Sequence, residues 1–84
     1  MDWIEEVNTA YQEKLKKMNL PAETIDLSVL SDRQREALRL RYGEKLTFNA
    51  VGEHLGVKGE RARQIVNKAF ADMHWAGRKK PGRS

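Results

Sequence analysis

Apolar residues recur along this chain at helical spacing, and no stretch alternates with the period of a strand. Trp3, Ile4, Val7, Ala10, Tyr11, Leu15 and Met18 fall on one face of a first segment, with Glu5, Glu6, Glu13, Lys14, Lys16 and Lys17 on the others. The pattern predicts an amphipathic helix. Asp2 followed three residues later by Glu5 has the spacing of an N-cap and its reciprocal partner. Asn19-Leu20-Pro21 should end the helix, because proline disfavours helical backbone in the residue before it. A short helix is expected somewhere in Ala22 to Leu30.

Ser31 and Gln34 then stand at capping-box spacing, and Asp32 adds negative charge to the first turn of a second helix. This helix should run to about Tyr42 and stop at Gly43 in the left-handed conformation. Ala37, Leu38 and Tyr42 should face inward, leaving Arg33, Arg35, Arg39 and Arg41 partly exposed. Thr47 is the next N-cap candidate.

From Phe48 to Asn67 the apolar and glycine positions have the spacing of a helix-turn-helix. Val51, Leu55, Val57 and Ile65 would lock two helices onto a common core. Gly52 would allow close approach, and Gly56 the positive φ of a sharp turn. The second helix of the pair should begin near Lys58 and reach about His74, with Ala62, Ile65, Ala69, Phe70 and Met73 inward. The expected organisation is an N-terminal helix over residues 1–20, a helix-turn-helix domain over 29–75 and a mobile basic tail over 76–84. The fold class is therefore all-α, a small helix-turn-helix bundle of four to five helices with an extra N-terminal amphipathic helix.

Composition narrows the function. Eighty-four residues can build one small core. The chain has no cysteine, which removes disulfides, thiolate metal sites and cysteine nucleophiles together. His54 and His74 are too far apart in sequence, and too poorly accompanied, to suggest a metal site, and both read as surface or half-buried helix residues. No catalytic constellation or phosphate loop has informative spacing, so neither an enzyme nor a cofactor is expected. No apolar run is long enough to cross a membrane and no signal peptide is visible, which leads us to expect a cytoplasmic, nucleoid-associated protein.

The net charge of +4 is polarised. Residues 1–31 hold six acids and three bases, whereas residues 58–84 hold two acids and eight bases. Such a chain would turn its C-terminal third toward a polyanion, and duplex DNA is the natural one. Glu60, Arg63 and Gln64 share one face at three- and four-residue steps and offer donors and acceptors suited to base edges in the major groove. Lys58, Arg61, Lys68 and the arginines of the Ser31–Tyr42 helix would instead meet phosphates, which set register without reading sequence. Trp3, Tyr11, Phe70 and Trp75 are expected in the core rather than as stacking platforms for single strands.

Three stretches carry a family resemblance. They are Val29-Leu-Ser-Asp-Arg-Gln-Arg-Glu-Ala-Leu-Arg-Leu-Arg-Tyr-Gly43, Leu46-Thr-Phe-Asn-Ala-Val-Gly-Glu-His-Leu-Gly-Val57, and Glu60-Arg-Ala-Arg-Gln-Ile65 with Lys68-Ala69. In this order and at these distances they resemble region 4 of the primary-type bacterial sigma factors, over about Val29 to Met73. The resemblance implies a domain that reads the upstream promoter element with its second helix and grips the β flap of RNA polymerase with another surface.

Position by position, it puts Glu60, Arg63 and Gln64 among base contacts and Arg33, Arg41 and Arg61 near the DNA backbone, where Thr47 and Lys58 also fall. Lys68 matches a position facing phosphate or a neighbouring activator. Gly59 stands where the family has a DNA-contacting arginine, Lys58 replaces a capping threonine, and Phe48-Asn49-Ala50 replaces a leucine and two acids. The acidic first helix has no counterpart in the matched region.

Met1 leads us to expect a complete small protein, a stand-alone transcription regulator of the kind a phage or other mobile element carries. The alternatives are an adaptor that binds the β flap or displaces the host's own region 4, and a homodimer joined through the Trp3–Met18 helix.

Overall fold

A computed structural model describes the backbone of residues 3–78 and the side chains of residues 3–75. Helix α1 spans Trp3–Lys17, a 3₁₀ turn spans Leu27–Val29, and α2 spans Asp32–Leu38 and continues into a wide π turn, Arg39–Gly43. Helices α3 (Phe48–Leu55) and α4 (Gly59–Arg78) complete the bundle, and the described residues contain no strand. The fold is the expected all-α bundle.

Each boundary has a local cause. At the end of α1, Asn19 takes a left-handed φ of 61° while Leu20 N–H donates to the Leu15 carbonyl at 2.9 Å and Asn19 N–H to Lys16 at 3.0 Å. This is a Schellman closure, so asparagine, rather than Pro21 alone, turns the chain. The stretch expected to hold a short helix forms only the 3₁₀ turn. Asp26 caps it by accepting from Ser28 N–H at 3.1 Å, and the two hydrogen bonds from Ser28 hold the Asp26 carboxyl below the usual carboxylate range.

The capping box at Ser31 and Gln34 forms in both directions, at 3.2 Å and 2.9 Å. Asp2, the first residue of the other expected capping pair, lies outside the described residues.

Gly43 does not end the second helix in a left-handed conformation. The positive φ falls two residues later, at Lys45 (61°), after the π turn has closed through Glu44 N–H to the Arg39 carbonyl. The requirement at Gly43 is steric: a Cβ there would lie 3.0 Å from the Cβ of Trp3, which packs from α1. The π turn lies under α1 while α2 lies against α4. Ala37, Leu38 and Leu40 are therefore all buried and Tyr42 is half-buried, and Leu40 joins a core that a regular helical stripe would have denied it.

The turn between α3 and α4 matches expectation. Gly56 has φ 77° and ψ 29°, the left-handed region open to glycine without penalty. A Cβ on Gly52 would sit 2.5 Å from the Val57 carbonyl oxygen, so glycine there lets the chain fold back over α3.

The core unites Val7, Tyr11 and Leu15 of α1 with Leu38, Leu40 and Val51 and with Ala62, Ile65, Val66, Ala69, Phe70 and Met73 of α4. Tyr11 and Phe70 are buried and Trp3 is half-buried, but Trp75 is 53% exposed and is not a core residue. It lies two residues beyond Met73, off the inward stripe, and meets the His74 ring edge-on. His54 is exposed and His74 half-buried. Helix α4 runs to Arg78, into the stretch read as a tail; residues 79–84, which carry the rest of that expectation, lie outside the described residues.

Candidate nucleic-acid interface

The inward stripe of α4 fixes what its other face presents. With Ala62, Ile65, Val66 and Ala69 buried, Glu60, Arg61, Arg63, Gln64 and Lys68 are exposed by helical geometry. The reading set Glu60, Arg63 and Gln64 thus lies together on the surface. Neither α1 nor any other described element covers it, because α1 packs against the π turn and α4's Phe70.

The set is internally paired. The Arg63 guanidinium donates through Nη2 to Glu60 Oε2, and through Nε to Oε1 at 3.3 Å. The hydrogen bond and charge of Arg63 hold the Glu60 carboxyl below the usual carboxylate range, and Glu60 in turn raises Arg63. Glu60 is thereby kept ionised and acceptor-only, the state in which it can accept from a cytosine amine.

The flanking residues divide into two groups. Arg33 of α2, with Lys58 and Arg61, is exposed and makes no ion pair among the described residues. Arg33, Gln34, Arg61, Gln64, Lys68 and Asp72 line a groove between α2 and α4. Asp72 anchors one side of it, accepting from Gln34 Nε2 at 2.9 Å and from Lys68 Nζ at 3.2 Å. Gln34 therefore closes the Ser31 cap and ties α2 to α4 at once, a link across 38 residues that no local spacing announces.

Thr47, by contrast, is exposed but its hydroxyl accepts from Ala50 N–H at 3.2 Å, capping α3. Arg41 is taken up by the fold. It donates from Nη1 to the Leu46 carbonyl at 2.8 Å, lies 4.6 Å from the centre of the Phe48 ring, and has its Nε buried without a hydrogen-bond partner. Its neighbours make it a clamp on the Gly43–Leu46 loop rather than an open cation.

A short helix joined by a glycine turn to a longer one, the second with an exposed polar face and a basic flank, defines a helix-turn-helix domain of the DNA-binding class. The family described as sigma-70, region 4 matches residues 27–73, and the chain belongs to that family. It is also 36% identical over 83 residues to the RNA polymerase sigma factor SigA1 of Synechococcus elongatus, an alignment covering 92% of this chain and 21% of that one. The chain thus spans about a fifth of the length of this relative. An alignment over so large a share of the chain reaches beyond residues 27–73 and takes in at least part of α1. No solved structure matches the chain.

Proposed function

We infer that this chain binds promoter DNA as a sequence-specific duplex reader and regulates transcription in company with RNA polymerase. α4 enters the major groove; Glu60, Arg63 and Gln64 address base edges, and Arg33, Lys58, Arg61 and Lys68 neutralise phosphates. The observation that carries this reading is the exposure of the three-residue set on the face of α4 opposite its core stripe, beside the Arg33–Lys68 groove. Thr47 and Arg41 serve the interface indirectly, by holding the start of α3 and the loop before it.

The decisive experiment selects bound sites from a random duplex library, with and without core RNA polymerase. A recovered motif, with log K falling against log salt by about 0.9 per phosphate neutralised, is the expected result. Absence of binding to any duplex at low salt overturns the reading.

A second reading, an adaptor that binds the polymerase β flap or displaces another region 4, draws on one observation. Met18 and Trp75 stand exposed at a largely apolar groove between α1 and α4. Capture of polymerase that survives combined Arg63→Ala and Gln64→Ala substitution would favour it. The homodimer through α1 finds less support, since Val7, Tyr11 and Leu15 of its apolar stripe are spent inside the fold.

A further inference from the structure

Gly59 stands one turn before Arg63 on the same row of α4, and it brings no side chain to that row. The space its Cβ would take belongs to the preceding helix. That point collides with Oδ1 of Asn49 and lies 3.1 Å from Asn49 Cγ and 3.2 Å from Asn49 Cα. Asn49 is the second residue of α3 and is exposed, and its carboxamide makes no hydrogen bond within the described residues. It is not needed as a cap, because Thr47 already fills that role. An uncommitted amide from α3 therefore occupies the space that a side chain on the first residue of α4 would take.

We propose that Asn49 is a specificity-determining residue, extending the row of Glu60, Arg63 and Gln64 by one contact and reading an adenine at the edge of the bound site. This rests on the duplex-reading function proposed above. A carboxamide is donor and acceptor at once, and it matches N6 and N7 of adenine as a bidentate pair. A phosphate contact would draw less from a neutral amide than from a cation, and Lys58, next in sequence to Gly59, is exposed and already supplies positive charge there. The steric pairing also explains why position 59 and position 49 must be considered together: any side chain at 59 has to displace the amide at 49.

The test repeats duplex-library selection with the wild-type chain, Asn49→Ala and Asn49→Asp. Asn49 is exposed, and unchanged thermal unfolding would establish that both variants fold. In the wild type we expect an adenine preference at one terminal position of the motif. Asn49→Ala should lose that preference, on the order of ten-fold or more, and keep the others. Asn49→Asp, an acceptor only, should move it toward cytosine.

An identical motif from all three proteins overturns the proposal, as does uniform weakening across all sequences, which would make Asn49 a phosphate contact. Should the wild type select no motif at all, the duplex-reading function itself falls and takes this inference with it.

Discussion

Tyr11 of α1 lies nearly parallel to Phe70 of α4, with ring centroids 5.8 Å apart and planes 7° from parallel. The Tyr11 hydroxyl donates to Glu23 Oε1 at 2.6 Å, and the other Glu23 oxygen lies 2.9 Å from His74 Nδ1. One carboxylate in the linker thus joins the first helix to the last. Tyr11→Phe keeps the stack and removes the hydrogen bond, and it should lower unfolding free energy by about 1–2 kcal/mol. Tyr11→Ala also opens a cavity beneath α1 and should cost about 3–5 kcal/mol, by the measure of other buried aromatics. Urea denaturation of the two variants separates these contributions; equal losses would mean that the hydroxyl, not the ring, secures α1.

The turn of the helix-turn-helix rests on two glycines with different duties. Gly56→Ala places a Cβ on left-handed backbone and should destabilise by about 1–2 kcal/mol, with Gly56→Asn losing less. Gly52→Ala should be worse, because the obstacle is the Val57 carbonyl 2.5 Å away and backbone cannot swing aside as a side chain can. Thermal unfolding should therefore rank the variants wild type, Gly56→Asn, Gly56→Ala, Gly52→Ala in falling stability.

What could be read from residue order was what depends on neighbours in sequence. The Ser31 cap, the Gly56 turn, the inward stripe of α4 and the outward row of Glu60, Arg63 and Gln64 all follow from spacing within a turn or two. What escaped was decided across the fold. The π turn after Leu38 packs under α1 and carries Leu40 inward, so the regular part of the second helix is shorter than its apolar pattern suggests. Gly43 answers to Trp3, forty positions earlier, and Trp75 falls outside the core because it lies off the inward stripe of α4 that ends at Met73. Within the interface, spacing distinguished arginines from other residues but not Arg33, open on α2, from Arg41, bound to the Leu46 carbonyl.

That difference makes a double prediction. Arg33→Ala should leave unfolding unchanged and reduce the salt dependence of duplex binding by about one phosphate's worth, weakening all sequences alike. Arg41→Ala removes the hydrogen bond to Leu46 and the cation held against Phe48, so it should lower stability by about 1–3 kcal/mol before any effect on DNA. Chemical denaturation and salt titration of both variants form the check. A stable Arg41→Ala protein with a reduced salt slope would reassign Arg41 to the phosphate contacts.

The Glu60–Arg63 pair carries the last prediction, and its sign follows from the direction of the shift. Arg63 lowers the Glu60 carboxyl in the folded protein, so the pair's contribution is present above the ordinary carboxylate pKa and is lost as pH falls through the depressed value. Both side chains are largely in water, so the consequence for stability is small and the readout belongs at the site. An NMR titration should find the Glu60 side chain ionising below the usual glutamate range in the wild type and returning to it in Arg63→Ala. The same substitution should cost about 1–3 kcal/mol against the preferred duplex and relax selection at one base position. Arg63→Lys keeps the charge but not the planar fork, and it should restore part of the Glu60 shift without restoring base preference. If lysine rescues both, Arg63 acts at the groove as a charge, and the reading of its base contact as a bidentate pair is wrong.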